Sequence, residues 1–410
     1  MVYPSKGELA MTTLLSVKIK NFRSFYSEQI LEFGAGTGQA VTALFGPNSG
    51  GKSNTAQALA LIESYIANSA DANFVTPYDP FLLKDTSDQE PSCFELFFKH
   101  TDRYLTYAFG FTRDQVVYEE LKEQPSITGK ARIIFFRKAD GSLSASADKF
   151  GFGKTLQKVT RKDTLLITKA HESNNEYAGL VFDLLKSLVI IPGGAPNQAP
   201  LFVELLKRDH ALLDRTIKLL QECDFSIQGI ELEKMPMPKE VLAALPLPEE
   251  IKSQIGMGTT LKTSHVVRDA DQSVVGIRQF DFWRQESVGT QKFLETIVPV
   301  IDALDHGKTI YIDEFGTFIH PDLANVIIGL FKSKNNKKHA KLILNTHNAS
   351  IMSPDILSRE EIFFVERNFS EESIISSLAD KSVRKDEAFG KRYRQGLYGG
   401  VPMIQDEPHT

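Results

Sequence analysis

The amino-acid sequence predicts an α/β fold in which a mixed sheet carries an antiparallel β lobe and a helical insertion. Three observations point to it. The run Val41-Thr42-Ala43-Leu44-Phe45 is apolar on both faces, as a buried parallel strand is, and a glycine-rich turn follows it. Between about Cys93 and Lys138, segments such as FELFFKH, YLTYAFGFT and ARIIFFRK alternate and are separated by short polar turns, the pattern of an antiparallel meander. A second apolar run, Thr309-Ile310-Tyr311-Ile312, ends in two adjacent acids.

In chain order, Met1–Ala10 reads as a loose extension, and Leu15, Val17 and Ile19 alternate with polar residues as a half-buried strand. A turn through Asn21–Ser24 leads to a strand around Ile30–Phe33. After Phe45 and the glycine-rich turn, a helix is expected from Lys52 to about Ala67. The pattern is helical again from about Thr155 to Glu222, with Phe202, Leu205, Leu206, Leu212, Leu213, Ile217 and Leu220 near helical spacing. Met235–Pro248 is proline-rich and irregular, and strand–helix alternation returns after about Thr263. The expected division is an extension over 1–12, a first lobe over 13–150, a mainly helical insertion over 151–262 and a second lobe over 263–410.

Composition narrows the function classes. The chain has 410 residues, 42% hydrophobic and 24% charged, as a soluble globular protein does. A net charge of -5 argues against a protein that coats nucleic acid indiscriminately, though not against a local basic surface. Cys93 and Cys223 stand in no metal-ligand spacing and fit reduced thiols of a cytoplasmic protein. No apolar run approaches the length of a membrane span, so no membrane association is expected.

Gly46-Pro47-Asn48-Ser49-Gly50-Gly51-Lys52-Ser53 fits G-x-x-x-x-G-K-[ST] in full, between a buried strand and a helix that continues through Asn54. Glycines there let backbone N–H groups wrap phosphates, Lys52 reaches the β- and γ-phosphates of ATP, and the Ser53 hydroxyl ligates Mg²⁺. The strand ending in Asp313-Glu314 has the Walker B arrangement: Asp313 supports the metal and Glu314 polarises the attacking water.

Glu286-Ser287-Val288-Gly289-Thr290-Gln291 lies 26 residues, counted from Ser287, before Asp313 and precedes a helical pattern. It resembles the S-x-G core of the ABC signature motif, in which the serine, the glycine amide and a helix start meet the γ-phosphate of the opposite subunit. Leu342–Asn348, an apolar strand ending in Asn345-Thr346-His347, resembles the switch-histidine motif of the same family. These resemblances imply a P-loop NTPase of ABC-ATPase type that works as a homodimer or a higher oligomer. Ser287 and Gly289 act in trans there, and His347 senses the γ-phosphate.

The opening Ile19-Lys20-Asn21-Phe22-Arg23-Ser24-Phe25 resembles the start of RecF-like, OLD-like and abortive-infection ATPases, and implies that Arg23 helps frame the nucleotide. Only 235 residues separate Lys52 from Ser287, too few for the coiled coil of SMC-type ATPases. With Pro80-Phe81-Leu82-Leu83, Ile319-His320-Pro321-Asp322 and the tail Tyr393-Arg394-Gln395-Gly396-Leu397-Tyr398-Gly399-Gly400-Val401-Pro402, the chain resembles AbiLi/RloA-type AAA/ABC ATPases of abortive-infection loci over about residues 13 to 403. It departs from the pattern at Phe315–Phe318 and at Val288, which leaves the dimer contacts open. Gln89 is a Q-loop candidate by position only.

The resemblance implies an ATPase sensor or motor in antiphage defence with a separate effector, such as a toprim-like nuclease. The alternatives are a RecF-like DNA-repair ATPase and a transporter ATPase, the last disfavoured by the N-F-R-S-F opening. The helical stretch 155–222 and the basic group Arg384, Lys385, Lys391, Arg392 and Arg394 are the surfaces expected to be free for a partner. The lysine-rich run Lys332, Lys334, Lys337, Lys338, His339 and Lys341 reads as a solvated loop or as a phosphate-contact patch for nucleic acid.

Overall fold

Alternation and continuous apolarity become two different sheets. The structure is a computed structural model that describes residues 11–34, 38–193, 199–236, 257–384 and 387–400. Outside these lie residues 1–10 of the expected extension, most of the proline-rich segment, Lys385 and the tail's Val401-Pro402. Among the described residues no helix is long and apolar enough to cross a membrane.

The alternating segments build a six-stranded antiparallel sheet from β1 (Thr12–Lys20), β2 (Gln29–Glu32), β4 (Ser92–His100), β5 (Arg103–Phe111), β6 (Val116–Gln124) and β7 (Arg132–Lys138). Its order is β2-β1-β4-β5-β6-β7. The apolar runs build a second sheet from β3 (Val41–Phe45), β8 (Leu188–Ile191), β12 (Thr309–Ile312), β13 (Lys341–Asn345), β14 (Ile362–Arg367) and β15 (Ser373–Ser377), ordered β15-β14-β3-β13-β12-β8. All pairs in it are parallel except β14–β15. Every residue of β3, β12 and β13 is buried.

Helix α1 (Lys52–Asn68) buries Thr55, Ala56, Ala58, Leu59, Ile62, Tyr65 and Ile66, a stripe at helical spacing. Tyr65 meets Phe109 and Phe111 edge-on, with ring centres 5.7 and 4.7 Å apart. Aromatic contacts of this geometry add about 0.5–1.5 kcal/mol beyond area burial. Helices α2 (Lys154–Val159), α3 (Leu166–Glu172) and α4 (Glu176–Lys186) complete this core with Leu156, Leu166, Ile167, Val181 and Leu184. The buried Glu119 carboxylate on β6 accepts from the Leu166 and Ile167 amides at 2.6 and 2.9 Å, which fixes the start of α3.

The chain divides into two compact units, one of residues 1–194, 303–317 and 324–410, the other of residues 195–302 and 318–323. The interval expected to be a helical insertion is therefore split. Helices α2–α4 belong to the first unit, and the insertion starts after β8. The second unit holds α5 (Ala199–Arg208), α6 (His210–Glu222) and an antiparallel sheet β11-β10-β9, of β9 (Ile227–Pro236), β10 (Met257–Arg268) and β11 (Val274–Asp281). Helices α7 (Phe282–Gln285) and α8 (Val288–His306) follow, α8 passing into the first unit at Ala303. So the signature segment falls in the second unit, while the acid pair and His347 fall in the first. Helix α9 (Pro321–Lys332) precedes β13, and α10 (Phe389–Arg394) closes the described chain.

The C-terminal stretch is not wholly a free surface. Tyr393 packs on Phe45 and Phe364, with ring centres 6.1 and 5.6 Å away, and its hydroxyl donates to Gly400 O at 2.8 Å. Lys391, Arg392 and Arg394 are exposed.

Candidate nucleotide site

The phosphate loop connects β3 to α1 at the C-terminal edge of the parallel strands. It lies against β14: a Cβ at Gly46 would fall 2.1 Å from Val365 O, so only glycine fits there. Helix α1 carries no acid in its first turn, which leaves its N-terminal amides to an anion. Lys52 Nζ donates to the Gly46 and Pro47 carbonyls at 2.8 and 2.9 Å. Burial lowers its pKa to about 8, against the pull of Asp313 and Glu314, so it is charged at neutral pH.

Asp313 and Glu314 follow β12. Ser53 Oγ donates to Asp313 Oδ1 at 3.1 Å, joining residues 260 apart in sequence. Beneath them Tyr311, fully buried, bonds the Thr55 hydroxyl. Glu314 adopts φ 53, a left-handed conformation held by Asn345 Oδ1, which accepts from the Glu314 amide at 2.7 Å. Phe315 N also donates to Asn345 O at 2.8 Å. The exposed Glu314 side chain lies over Gly193, just past β8, where a Cβ would fall 2.7 Å from Glu314 Cγ. His347 follows β13; burial and the Lys52 charge lower its pKa, with Glu314 and Asp313 opposing. Its ring is therefore neutral at pH 7 and has one N–H to donate.

The opening motif divides its work. Asn21 Nδ2 donates to the Ser87 and Glu90 carbonyls, both at 2.8 Å, and Phe22 and Phe25 are core residues. Arg23 Nε donates to Asp79 Oδ2 at 2.6 Å, and the same guanidinium bonds Gln57. The residue of this motif that reaches the phosphate loop is Ser24: its Oγ accepts from Asn54 Nδ2 and Ser373 Oγ, both at 2.7 Å. Ser373 Oγ also lies 2.7 Å from Gly50 O. Sequence reasoning missed Ser24, Ser373, Asn345 and Gly193 as supports of the site. Ser373 had no signal; Ser24 stood in the opening motif, Asn345 adjoins His347, and Gly193 follows an apolar run.

Gln89 ends a short turn, Ser87–Gln89, beside the loop that Asn21 holds. The backbone against Glu314 is that of Gly193 instead.

In the second unit Ser287 precedes α8, and its Oγ accepts from Thr290 N at 3.1 Å. The serine thus caps the helix while remaining exposed. Glu286 beside it is anchored on β10 by the Thr263 hydroxyl and by His265 Nε2, the latter at 2.7 Å. Gly289 lies close to the Phe318 carbonyl, 3.1 Å from where a Cβ would stand.

A family model described as "AAA domain" matches residues 16–188, which include the phosphate loop. One described as "AAA domain, putative AbiEii toxin, Type IV TA system" matches residues 270–353, which include Ser287, Asp313, Glu314 and His347. Among solved structures the chain is similar to the SMC head domain from Thermotoga maritima, at 17% identity over 89% of this chain and 98% of that one, with a TM-score of 0.40. No curated protein matches it. The fold is an α/β P-loop ATPase fold, and the chain is an ATP-hydrolysing enzyme.

Proposed function

We propose that the chain closes head to tail with a second copy around two ATP molecules and acts as the sensor or motor of a cytoplasmic antiphage defence system, controlling a separate effector protein such as a toprim-like nuclease. The observation that carries the ATP site is the 3.1 Å contact of Ser53 Oγ with Asp313 Oδ1 beside the Lys52 ammonium. A hydroxyl and a carboxylate at a phosphate loop form a hard oxygen donor set that fits Mg²⁺. Ser53 and Asp313 would hold that ion, which supplies charge neutralisation on the β- and γ-phosphates. Lys52 and the loop amides bind and orient the triphosphate. Glu314, fixed at its backbone by Asn345, accepts a proton from the attacking water. His347, neutral, donates its N–H to the γ-phosphate. Ser287 and Gly289 of the second copy complete the site at the helix start of α8.

The description of the family model over 270–353 as "putative AbiEii toxin, Type IV TA system" supports a role in a toxin-type system, and the resemblance of the N-F-R-S-F opening and the R-Q-G-L-Y-G-G tail to abortive-infection ATPases supports one in antiphage defence. The chemistry described above acts on ATP, so the output passes through a conformational change to a partner. Helices α5 and α6 and the exposed Lys391, Arg392 and Arg394 are the docking surfaces. Deleting a co-encoded effector is expected to abolish protection from phage while the purified chain hydrolyses ATP at its normal rate. Full protection by the chain alone would overturn the reading.

A further inference from the structure

The lysine-rich run between α9 and β13 does not stand alone in the fold. Lys99 on β4 and Tyr104 on β5 line the same cleft as Lys334, Lys337 and His339, a space of about 700 Å³ in the first unit. The segments that meet there are far apart in sequence, so the convergence is a product of the fold.

The charges of the cleft are unbalanced. Its one carboxylate among the described residues, Glu361, is bound to Lys332 at 2.7 Å. Lys341 donates to the Phe33 carbonyl, and burial lowers its pKa to about 8. Lys99, Lys334 and Lys337 have no acidic partner among the described residues. An aromatic surface adjoins them: Lys99 Nζ lies 5.6 Å from the Tyr104 ring centre, and Phe97 stacks on Tyr104 at 6.1 Å. All three side chains are at least partly open to solvent.

We propose that this cleft binds single-stranded nucleic acid, with phosphates on Lys99, Lys334 and Lys337 and a base against Tyr104. Ammonium groups beside an aromatic face are the combination that holds a strand without reading its sequence. An acidic peptide would use the lysines and leave the rings idle. The cleft also lies at the starts of β3 and β13, at Ala40 and Lys341, while their other ends carry the phosphate loop and Asn345-Thr346-His347. About 13 Å of strand, four steps of roughly 3.3 Å, therefore separates the cleft from the nucleotide site. This goes beyond the proposed function and does not depend on it.

The test uses the full chain and fluorescein-labelled DNA and RNA strands of about 12 nucleotides, read by anisotropy. Three phosphate contacts predict a slope of log affinity against log salt near about −2. The double variant Lys334→Glu/Lys337→Glu is expected to bind more than about tenfold more weakly, with the slope shallower by about 1.4. Its ATP affinity and melting temperature stay unchanged. Lys99→Glu, on a separate strand, is expected to act in the same direction. Failure of both strands to bind overturns the proposal, as does equal affinity in the double variant. Tighter binding of a polyglutamate peptide than of either strand overturns it in favour of an acidic protein partner.

Discussion

The two halves of the proposed catalytic site are built differently. In the first unit the proposed ATP-binding residues are tied to each other and to the core: Lys52 to the loop carbonyls, Ser53 to Asp313, the Glu314 backbone to Asn345, and Ser24 to Asn54 and Ser373. In the second unit Ser287 is exposed, and among the described residues its hydroxyl is engaged only within its own helix start, by Thr290. Its neighbour Glu286 is anchored to β10 while the serine projects. A binding half fixed in advance lowers the ordering cost of holding ATP. A presented half suits contact with a nucleotide held elsewhere, which is what a head-to-tail dimer requires.

Substitutions within the first unit separate binding from turnover. Lys52→Ala removes the phosphate cation and is expected to weaken ATP affinity by about two orders of magnitude or more, since a charged partner is lost from a buried site. Glu314→Gln is expected to bind ATP normally and to lose about 10²–10⁴-fold in kcat, because only proton acceptance is removed. Nucleotide titration and single-turnover kinetics on the two variants check this, and equal loss of binding in both would undo the roles. A smaller effect is expected at Gly193. Alanine there places a methyl group against Glu314 and displaces the carboxylate, so kcat falls by about tenfold with ATP affinity unchanged. An unchanged kcat would detach β8 from the chemistry.

The candidate nucleotide site was legible because its motifs are local: G-P-N-S-G-G-K-S lies on one turn and Asp313-Glu314 at one strand end, and their order along the chain with Ser287 and His347 singles them out as candidates before the fold is known. The all-buried β3 and β13 and the alternating β4–β7 were legible for the same reason, since sheet periodicity is written along the strand. Strand β8 was not. Its four residues follow α4 with only Ser187 between, and a short apolar run there reads as the end of a helix. Its pairing with β12 joins residues some 120 positions apart, which no local pattern encodes. The bounds of the second unit have no local signal for a related reason, because it is inserted between β8 and β12, strands of one sheet. Ser24 lay inside the opening motif, but nothing there set it apart from Arg23, and Ser373, buried at the start of β15, carried no signal until the fold brought it to the loop.

The trans arrangement is the central claim, and a mixing experiment tests it most directly. Ser287→Arg alone is expected to bind ATP and not turn it over, and Lys52→Ala alone to do neither. Mixed in equal amounts and allowed to exchange, half of the dimers carry both variants, and each of these has one intact composite site. Turnover is then expected to recover to about a quarter of the native rate. Normal hydrolysis by Ser287→Arg alone, or no recovery on mixing while mass analysis shows mixed dimers, would contradict the account.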